Sequence, residues 1–224
     1  MSSISDAKPS SFEEADKLQV WKNSMLEEYR SILKNNVWDI VSRPKEKSMV
    51  SSKWIYKIKH AADGSVEKFK ARFVARGFTQ KEGIDYEVTF APIARYTSIR
   101  AIISLVSVLG WKLHQMDVKT TFLNGKIENE DFVEQQYGFI LHNKYTHGCK
   151  LRKALYGLKQ ALRVWYDRID GFFKSSGFQK RDVDANLYFK VRGNQPIILI
   201  LYVDYLFLIG DEGIIDWCKR ELTS

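Results

Sequence analysis

The stretch Ile197–Gly210, IILILYVDYLFLIG, restricts the fold more than any other part of the chain. It is almost entirely apolar, yet it carries one carboxylate, Asp204, near its centre. It is shorter than the about 20 residues that a membrane-spanning helix needs, so we expect a buried β-strand. Burying an unpaired ionised carboxylate is strongly unfavourable. Asp204 therefore needs a compensating partner and is a candidate functional residue.

The net charge of +8 is unevenly distributed. Lys53–Lys81 contains eight Lys and Arg against two acidic residues, and Lys150–Arg168 contains six against one. Two basic clusters indicate a polyanionic partner, and the alternative interpretation is a solvated surface.

Two cysteines, Cys149 and Cys218, fit a reducing compartment, and their spacing with the four histidines suggests no metal site. The polar N-terminus has no signal-peptide character, so we expect an intracellular protein.

The N-terminal half predicts one helix and one β-hairpin. SFEE, beginning at Ser11, is a capping box in which Glu14 reaches back, and a helix should continue to about Lys34. Residues 52–76 predict a hairpin around an Asp-Gly turn. Its alternation places cationic side chains on one face and apolar ones on the other. The cationic face fits attraction to phosphates.

The second half predicts alternating strands and helices around two acids. A helix should start near Thr97 or Ser98, and a strand over residues 113–118 should end near Asp117. Later segments predict a long helix from about residue 158 to Gly177 and two strands before the final helix. If the strands that carry Asp117 and Asp204 are neighbours, the two carboxylates meet and need a cation such as Mg²⁺. Such a site beside a cationic hairpin fits phosphoryl chemistry on nucleic acid.

Several long strings of this sequence resemble the reverse transcriptase of copia-type LTR retrotransposons, as found in plant Gag-Pol polyproteins. They include SSKWIYKIK, DGSVEKFKARFVARGFTQKEGIDYE, TFAPIARYTSIR, WKLHQMDVKTTFLNG, KALYGLKQA and NLYFKV. The resemblance runs from about Ser11 to the C-terminus. It implies RNA-directed DNA synthesis by two-metal nucleotidyl transfer, with Mg²⁺ (or Mn²⁺), dNTPs and an RNA or RNA/DNA hybrid template-primer. It also implies a cytoplasmic retroelement particle or a nuclear location, without a membrane.

The resemblance assigns the metal site to two of the three motifs. MDVKTTF resembles the first carboxylate motif, so Asp117 would bind both ions with help from the Val118 carbonyl. LYVDY resembles the third motif, a turn that normally carries two adjacent aspartates. Asp204 is the first of them, and Tyr205 stands where the family has the second. Tyrosine is neutral at pH 7, and losing one metal-binding carboxylate costs on the order of 10²- to 10⁵-fold in rate.

The resemblance also assigns the nucleotide site. Phe122 would lie under the incoming sugar and exclude a ribose 2′-OH, backbone amides near Thr120 and Thr121 would contact the triphosphate, and Gln160 would face the nucleotide and template base. The candidate nucleotide-binding residues are Lys68, Lys70, Arg72, Thr120, Thr121, Phe122 and Gln160. From the residues alone, Phe122 could be core, Gln160 an ordinary residue of a helix start, and the three cations a solvated face.

The expected fold is α+β, a right-hand polymerase fragment. Residues 1–10 would be a disordered leader, residues 11–95 the fingers, and residues 96–224 the palm, an antiparallel ferredoxin-like sheet backed by helices. Thumb and RNase H elements are not expected. Tyr205 and further departures from the family pattern (Val88, Gln136, Leu162 and Val164) suggest a degenerate, inactive copy. Three functional alternatives remain: a working polymerase, a nucleic-acid-binding remnant, and an inert fragment.

Overall fold

A computed structural model describes residues 8–45 and 47–223. The chain divides into two compact units. The first comprises Met1–Thr89 and Phe122–Trp165, and the second Phe90–Thr121 and Tyr166–Ser224. Both units combine helices with antiparallel strands, which agrees with the expected α+β class. The division does not follow the predicted boundary between residues 95 and 96, because residues 122–165 group with the N-terminal segment. The assignment of chain segments to fingers and palm subdomains remains a prediction.

The first unit contains a three-stranded sheet and a separate two-stranded hairpin. The sheet has the order β1-β6-β5, and the hairpin pairs β2 with β3. The cores contain Phe73, Leu123 and Leu155 in one cluster and Trp21, Met25 and Tyr56 in another. The elements are α1 (Phe12–Asp16), α2 (Gln19–Lys34), β1 (Trp38–Ser42), β2 (Ser52–His60), β3 (Val66–Ala75), β5 (Phe132–Val133) and β6 (His147–Leu151).

The predicted first helix is two helices. The backbone of Leu18 is extended, which ends the helical path between α1 and α2. The hydroxyl of Ser11 accepts a hydrogen bond from the Glu14 amide, as a capping box requires. The carboxylate of Glu14 accepts from the backbone and hydroxyl of Ser10, one residue earlier than predicted. The predicted leader lies outside the described residues except for residues 8–10.

The predicted hairpin is present, and α2 covers one edge of it. The Ser24 hydroxyl donates to the carbonyl of Phe69 and accepts from the amide of Ala71, so it satisfies groups on the outer edge of β3. The ring of Trp21 packs edge-on against Tyr56 and Phe69 on the apolar face. The helix therefore both protects the strand edge and supplies the core beneath the hairpin.

The second unit is built on a five-stranded antiparallel sheet of order β4-β10-β9-β8-β7. Helix α3 packs on one face through Ile102 against Ile200 and Ile209. On the opposite face, Phe173 of α4 contacts Tyr188 edge-on. The elements are α3 (Tyr96–Leu109), β4 (Lys112–Asp117), α4 (Ala161–Ser175), β7 (Gln179–Arg181), β8 (Asp184–Arg192), β9 (Gln195–Tyr202), β10 (Tyr205–Gly210) and α5 (Glu212–Thr223). Helix α4 begins in the first unit.

The start of α3 differs from the predicted cap at Thr97 or Ser98. Arg95 is the N-cap residue, and its amide donates to the carboxylate of Asp184 at 3.0 Å. Burial raises the pKa of Asp184, but hydrogen bonds from Ser98, Asn186 and Arg95 outweigh burial and hold that pKa below its usual value. A buried carboxylate from β8 thus replaces the local cap. No helix among residues 8–45 and 47–223 has the length and apolar character to cross a membrane.

Candidate catalytic and nucleic-acid-binding site

Asp204 occupies the tip of a hairpin, as the resemblance implies for its motif, and not the inside of one buried strand, as the apolar run alone predicts. Strands β9 and β10 are joined by Val203 and Asp204, and Tyr202 pairs with Tyr205 across the turn. The φ angle of Val203 is 56°, in the left-handed region, which is an outlier for a β-branched residue. Positive φ at the first of two turn residues fits a type II′ hairpin turn. Asp204 is only partly buried, so its carboxylate can reach solvent.

Asp117 reaches the same end of the sheet, because β4 is the other neighbour of β10. It is the last residue of β4 and is exposed. The amide of the next residue, Val118, donates to the carbonyl of Asp204 at 2.8 Å. The strands that carry the two acids are therefore neighbours, the condition under which the sequence predicts that the two carboxylates meet.

Tyr205 lies directly opposite Asp117 in the antiparallel register. Directly opposite residues have Cβ atoms about 4.5–5.5 Å apart and share a face of the sheet. The phenol side chain, in a residue that is 37% exposed, therefore occupies the face on which the Asp117 carboxylate lies. The position opposite this carboxylate bears no second negative charge.

The donor set falls short of a complete two-metal site. Asp117 and Asp204 supply two carboxylates, and no group of three or more His, Cys, Asp or Glu side chains that could hold a metal ion occurs in the part of the chain that the structure describes. The Val118 carbonyl, the expected additional ligand, accepts a hydrogen bond from the Thr121 hydroxyl at 2.7 Å. We therefore conclude that the residues present do not fit the family's metal site.

The loop after β4 contains both threonines expected near a triphosphate. Thr120 has a φ angle of 53°, and Thr121 is buried and begins a 3₁₀ helix over Thr121–Asn124. The hydrogen bond from Thr121 to Val118 fixes the turn after Asp117. The loop is thus held in a tight, left-handed conformation next to the acid.

In the first unit, Phe122 packs edge-on against Tyr156, with ring centroids 5.4 Å apart. The guanidinium of Arg72 lies over the same tyrosine ring at 5.0 Å. Two predicted nucleotide-binding residues are therefore linked through Tyr156, which sequence reasoning did not single out. Phe122 also packs against the core, so its alternative interpretation as a core residue has structural support.

The position of Tyr156 depends on close contact between its own backbone segment and the end of β3. Its carbonyl accepts from the Ala75 amide at the end of β3, and a Cβ atom on Gly157 would lie 2.2 Å from the Ala75 carbonyl oxygen. The φ angle of Gly157 is +89°. Only glycine meets both conditions without strain. The sequence signal that could have identified Tyr156 is the aromatic-glycine pair inside KALYGLKQA.

Arg72 is already held by a carboxylate. Glu28 of α2 is buried and accepts a hydrogen bond from the Arg72 guanidinium at 2.5 Å. Burial raises the pKa of Glu28, while the Arg72 charge opposes that rise. Lys68 pairs with Glu27 at 2.9 Å, on a more exposed part of the same helix. Two of the three predicted triphosphate-binding cations are therefore engaged by α2.

The cationic face of the hairpin contains like charges directly opposite each other. The register pairs Lys57 with Lys70 and Lys59 with Lys68. Like charges in such pairs destabilise a sheet unless an anion compensates them. The second basic cluster differs, since Lys150 pairs with Glu130 and Arg152 with Asp39. Local acids thus pair with two residues of the second cluster. On the hairpin, Glu27 pairs with Lys68 and Glu28 with Arg72, which leaves more cations than acids on its cationic face.

Gln160 lies inside a buried polar network. Its amide nitrogen donates to the Asp131 carboxylate at 2.7 Å and to the Asp85 carbonyl at 3.3 Å, and its oxygen accepts from Gln80 at 3.0 Å. The side chain is 6% exposed. These contacts support the structural interpretation of Gln160, at the start of α4, more directly than the predicted contact with a nucleotide.

Comparison with known proteins identifies the family. Residues 35–224 match the family described as reverse transcriptase (RNA-dependent DNA polymerase). The chain belongs to the reverse transcriptase family. It is 42% identical over 98% of its length to the retrovirus-related Pol polyprotein from transposon TNT 1-94 of Nicotiana tabacum, and 35% identical over 95% to that from transposon RE1 of Arabidopsis thaliana. The predicted resemblance to copia-type elements is confirmed.

The reverse transcriptase match covers only part of each relative. The chain spans 17% of the tobacco polyprotein and 14% of the Arabidopsis polyprotein. A telomerase structure from Candida albicans, in complex with a fragment of telomeric RNA, aligns with 97% of this chain and 47% of that chain. Its TM-score of 0.42 and identity of 12% are too low to support an inference about this chain.

Proposed function

We propose that this chain is the polymerase segment of a copia-type reverse transcriptase in which nucleotidyl transfer is lost or nearly lost, while binding to nucleic acid is retained. The observation that carries the proposal is the position of Tyr205 opposite Asp117. A neutral phenol stands where the family pattern has the second aspartate of its motif. Asp117 and Asp204 both lie at one end of the five-stranded sheet.

The proposed loss of activity follows from the missing negative charge at position 205. In the family, Mg²⁺ (or Mn²⁺) neutralises the triphosphate and the attacking oxygen while carboxylates hold the ions. Asp117 and Asp204 supply two negative charges where the family pattern has three. Tyr205 adds no negative charge and brings a large ring to the same face. A rate lower by about 10²- to 10⁵-fold is the expected consequence.

The nucleotide would contact side chains of the first unit. Phe122, supported by Tyr156, would contact the sugar and exclude a 2′-OH, as the family pattern implies. The Arg72 guanidinium lies over the Tyr156 ring and would approach the triphosphate while Glu28 fixes it. Tyr156 would therefore position both groups without contacting the reacting atoms.

Retained binding rests on the hairpin. The Lys57–Lys70 and Lys59–Lys68 pairs place four ammonium groups in two adjacent cross-strand positions. Phosphates of an RNA or hybrid template-primer would relieve the repulsion and release counterions. Affinity should therefore fall steeply with salt and depend weakly on sequence. This is the second candidate function, and it does not need the lost carboxylate.

Primer extension on an RNA template, with dNTPs and Mg²⁺, tests the catalytic part of the proposal. The unaltered chain is compared with Tyr205→Asp and with Tyr205→Asn, which is close to aspartate in size but brings no charge. We expect extension from the Asp variant and little or none from the other two. Addition of Asp204→Asn to the Asp variant should abolish the restored activity, because one of its three carboxylates is then removed.

Two outcomes would contradict the catalytic proposal. Extension by the unaltered chain at a rate similar to that of Tyr205→Asp would mean that two carboxylates suffice. No extension by either would mean that Tyr205 is not the decisive change. The binding part is measured separately, by titrating template-primer against the unaltered chain at increasing salt in the presence of EDTA. Affinity independent of salt would contradict it.

A further inference from the structure

A cleft of about 530 Å³ lies within the first unit. It is formed by the start of α1, by β2, by the residue after β3 and by the loop that follows β5. This volume lies within the about 300–1,000 Å³ of small-molecule sites. None of the predicted site residues lines it, so no function has been assigned to it above.

The walls of the cleft are aromatic and fixed in place. Phe12 packs edge-on against Tyr137 with ring centroids 5.1 Å apart, and the indole nitrogen of Trp54 donates to the Tyr137 carbonyl at 3.0 Å. Gly138, with φ +90°, lets the Phe12 ring lie against the backbone, since a Cβ atom there would be 2.4 Å from the ring. Tyr137 is nevertheless 51% exposed, so part of its ring is open to a ligand.

Two cations line the same cleft. Lys53 projects from β2 and Arg76 follows β3, and both are exposed. In the part of the chain that the structure describes, neither side chain forms an ion pair. Glu13, at the start of α1, and Glu134, on the loop after β5, add two exposed carboxylates to the lining. The cleft thus combines aromatic surface with two cations and two carboxylate acceptors.

We propose that this cleft binds one unpaired nucleotide of a single-stranded nucleic acid. The base would stack on the exposed Tyr137 ring, because every base has a π-face that stacks on aromatic side chains. The flanking phosphates would pair with Lys53 and Arg76. Glu134 would accept a hydrogen bond from an amino or imino group of the base, a group that a free polyphosphate lacks. A purely apolar ligand would leave the charged groups without partners.

The inference extends the proposed nucleic-acid binding, and it does not require polymerase activity. It separates two contributions to binding. The lysine pairs of the hairpin would attract any phosphate backbone, whereas the cleft would admit only an unpaired base. Single strands should therefore use the cleft, and a fully paired duplex should not.

The test uses a short single-stranded oligonucleotide of thymidines with one central 2-aminopurine, whose fluorescence is quenched by stacking. It is titrated with the chain in EDTA. The unaltered chain should quench the probe, and Tyr137→Phe should retain quenching because it keeps the ring. Tyr137→Leu should lose quenching and weaken binding by about 5- to 100-fold, as loss of a stacking side chain does. Cooperative thermal unfolding confirms that each variant is folded.

The cations are tested with Lys53→Gln and Arg76→Gln. Each should reduce the slope of log affinity against log salt by about 0.7, the value for one contact to a single strand. The matched control is Lys34→Gln, which removes an exposed charge of α2 outside the cleft and should leave the slope unchanged.

Quenching that persists in folded Tyr137→Leu would overturn the cleft proposal, as would a 2-aminopurine probe that is quenched equally inside a duplex. In either case the hairpin proposal stands if Lys57→Gln still weakens binding. Absence of any binding by the unaltered chain would contradict both binding proposals. Primer extension by the Asp variant described above remains an independent measurement.

Discussion

Tyr205 on β10 and Asp117 on β4 face each other across an antiparallel pair at the end of the second unit's sheet. The amide of Val118 donates to the carbonyl of Asp204 in the next position, which fixes the register at this end. Any side chain at position 205 is therefore held beside the Asp117 carboxylate. The identity of this one residue decides whether the face carries one negative charge or two.

The thermal stability of the Tyr205→Asp variant should depend on whether a divalent metal ion is bound. Two carboxylates directly opposite each other repel when no cation is bound, so the variant should unfold at a lower temperature than the unaltered chain in EDTA. Mg²⁺ bound between them should restore stability by about 2.7 kcal/mol at a concentration of 100 times Kd. Thermal unfolding with and without Mg²⁺ measures this. Tyr205→Asn serves as the control and should show no such response; an equal response would refute a carboxylate-held ion.

Gln136 and Gln135 should respond in opposite ways to loss of their amides. Gln136, which stands where the family pattern has proline, is buried, and among the described residues neither its amide nitrogen nor its oxygen has a hydrogen-bond partner. Gln136→Met removes two unsatisfied buried polar atoms and should raise the free energy of unfolding by about 1–3 kcal/mol. Urea unfolding measures the change.

The neighbouring glutamine is the matched control. The nitrogen of Gln135 donates to the carbonyls of His142 and His147, and its oxygen accepts from the amides of Leu141 and His142. Gln135→Met leaves these backbone groups without partners and should destabilise the chain. If Gln136→Met also destabilises it, the side chain of Gln136 makes a contribution that its surroundings do not explain.

Local patterns predicted the elements of this fold better than their pairing. The alternation in β2 and β3 was sufficient to assign a cationic and an apolar face, because side chains alternate with a period of two along any strand. The break at Leu18 was not predictable, since both sides of it fit one helical apolar stripe. The turn at Asp204 was hidden in a continuous apolar run, where periodicity cannot separate one strand from two.

Contacts between distant segments account for what the sequence did not reveal at the site. The sequence predicted that the two acids meet only if their strands are neighbours. That pairing, and the register that places Tyr205 opposite Asp117, are non-local properties. Tyr156 gains its place only because Gly157 permits contact with the end of β3. The network around Gln160 joins three segments that no local pattern connects.

Asp131 should make stability depend on pH. Burial, with a smaller effect from nearby Asp85, raises the pKa of Asp131 to about 6, compared with about 4 for an unfolded chain. Between these values the unfolded chain releases a proton that the folded chain retains. The free energy of unfolding should therefore fall as pH rises from about 4 to 6, by on the order of 2 kcal/mol.

Asp131→Asn isolates this effect. Its side-chain oxygen can still accept from Gln160, but it does not titrate, so the fall between pH 4 and 6 should become smaller and stability at pH 7 should increase. Urea unfolding at a series of pH values measures both. An unchanged profile would assign the pH dependence to other groups.

Substitutions of Arg72 and Lys57, on the same hairpin face, should have different effects on stability and on RNA binding. Arg72→Ala leaves the buried Glu28 carboxylate without its partner and should cost about 3–5 kcal/mol of stability. Adding Glu28→Gln should recover much of that loss, because the unpaired charge is then removed.

Lys57→Ala removes an exposed ammonium opposite Lys70, so stability should stay constant or rise while RNA affinity at low salt falls. Urea unfolding and salt-dependent RNA binding measure the two properties. If Arg72→Ala leaves stability unchanged, the ion pair with Glu28 does not stabilise the fold.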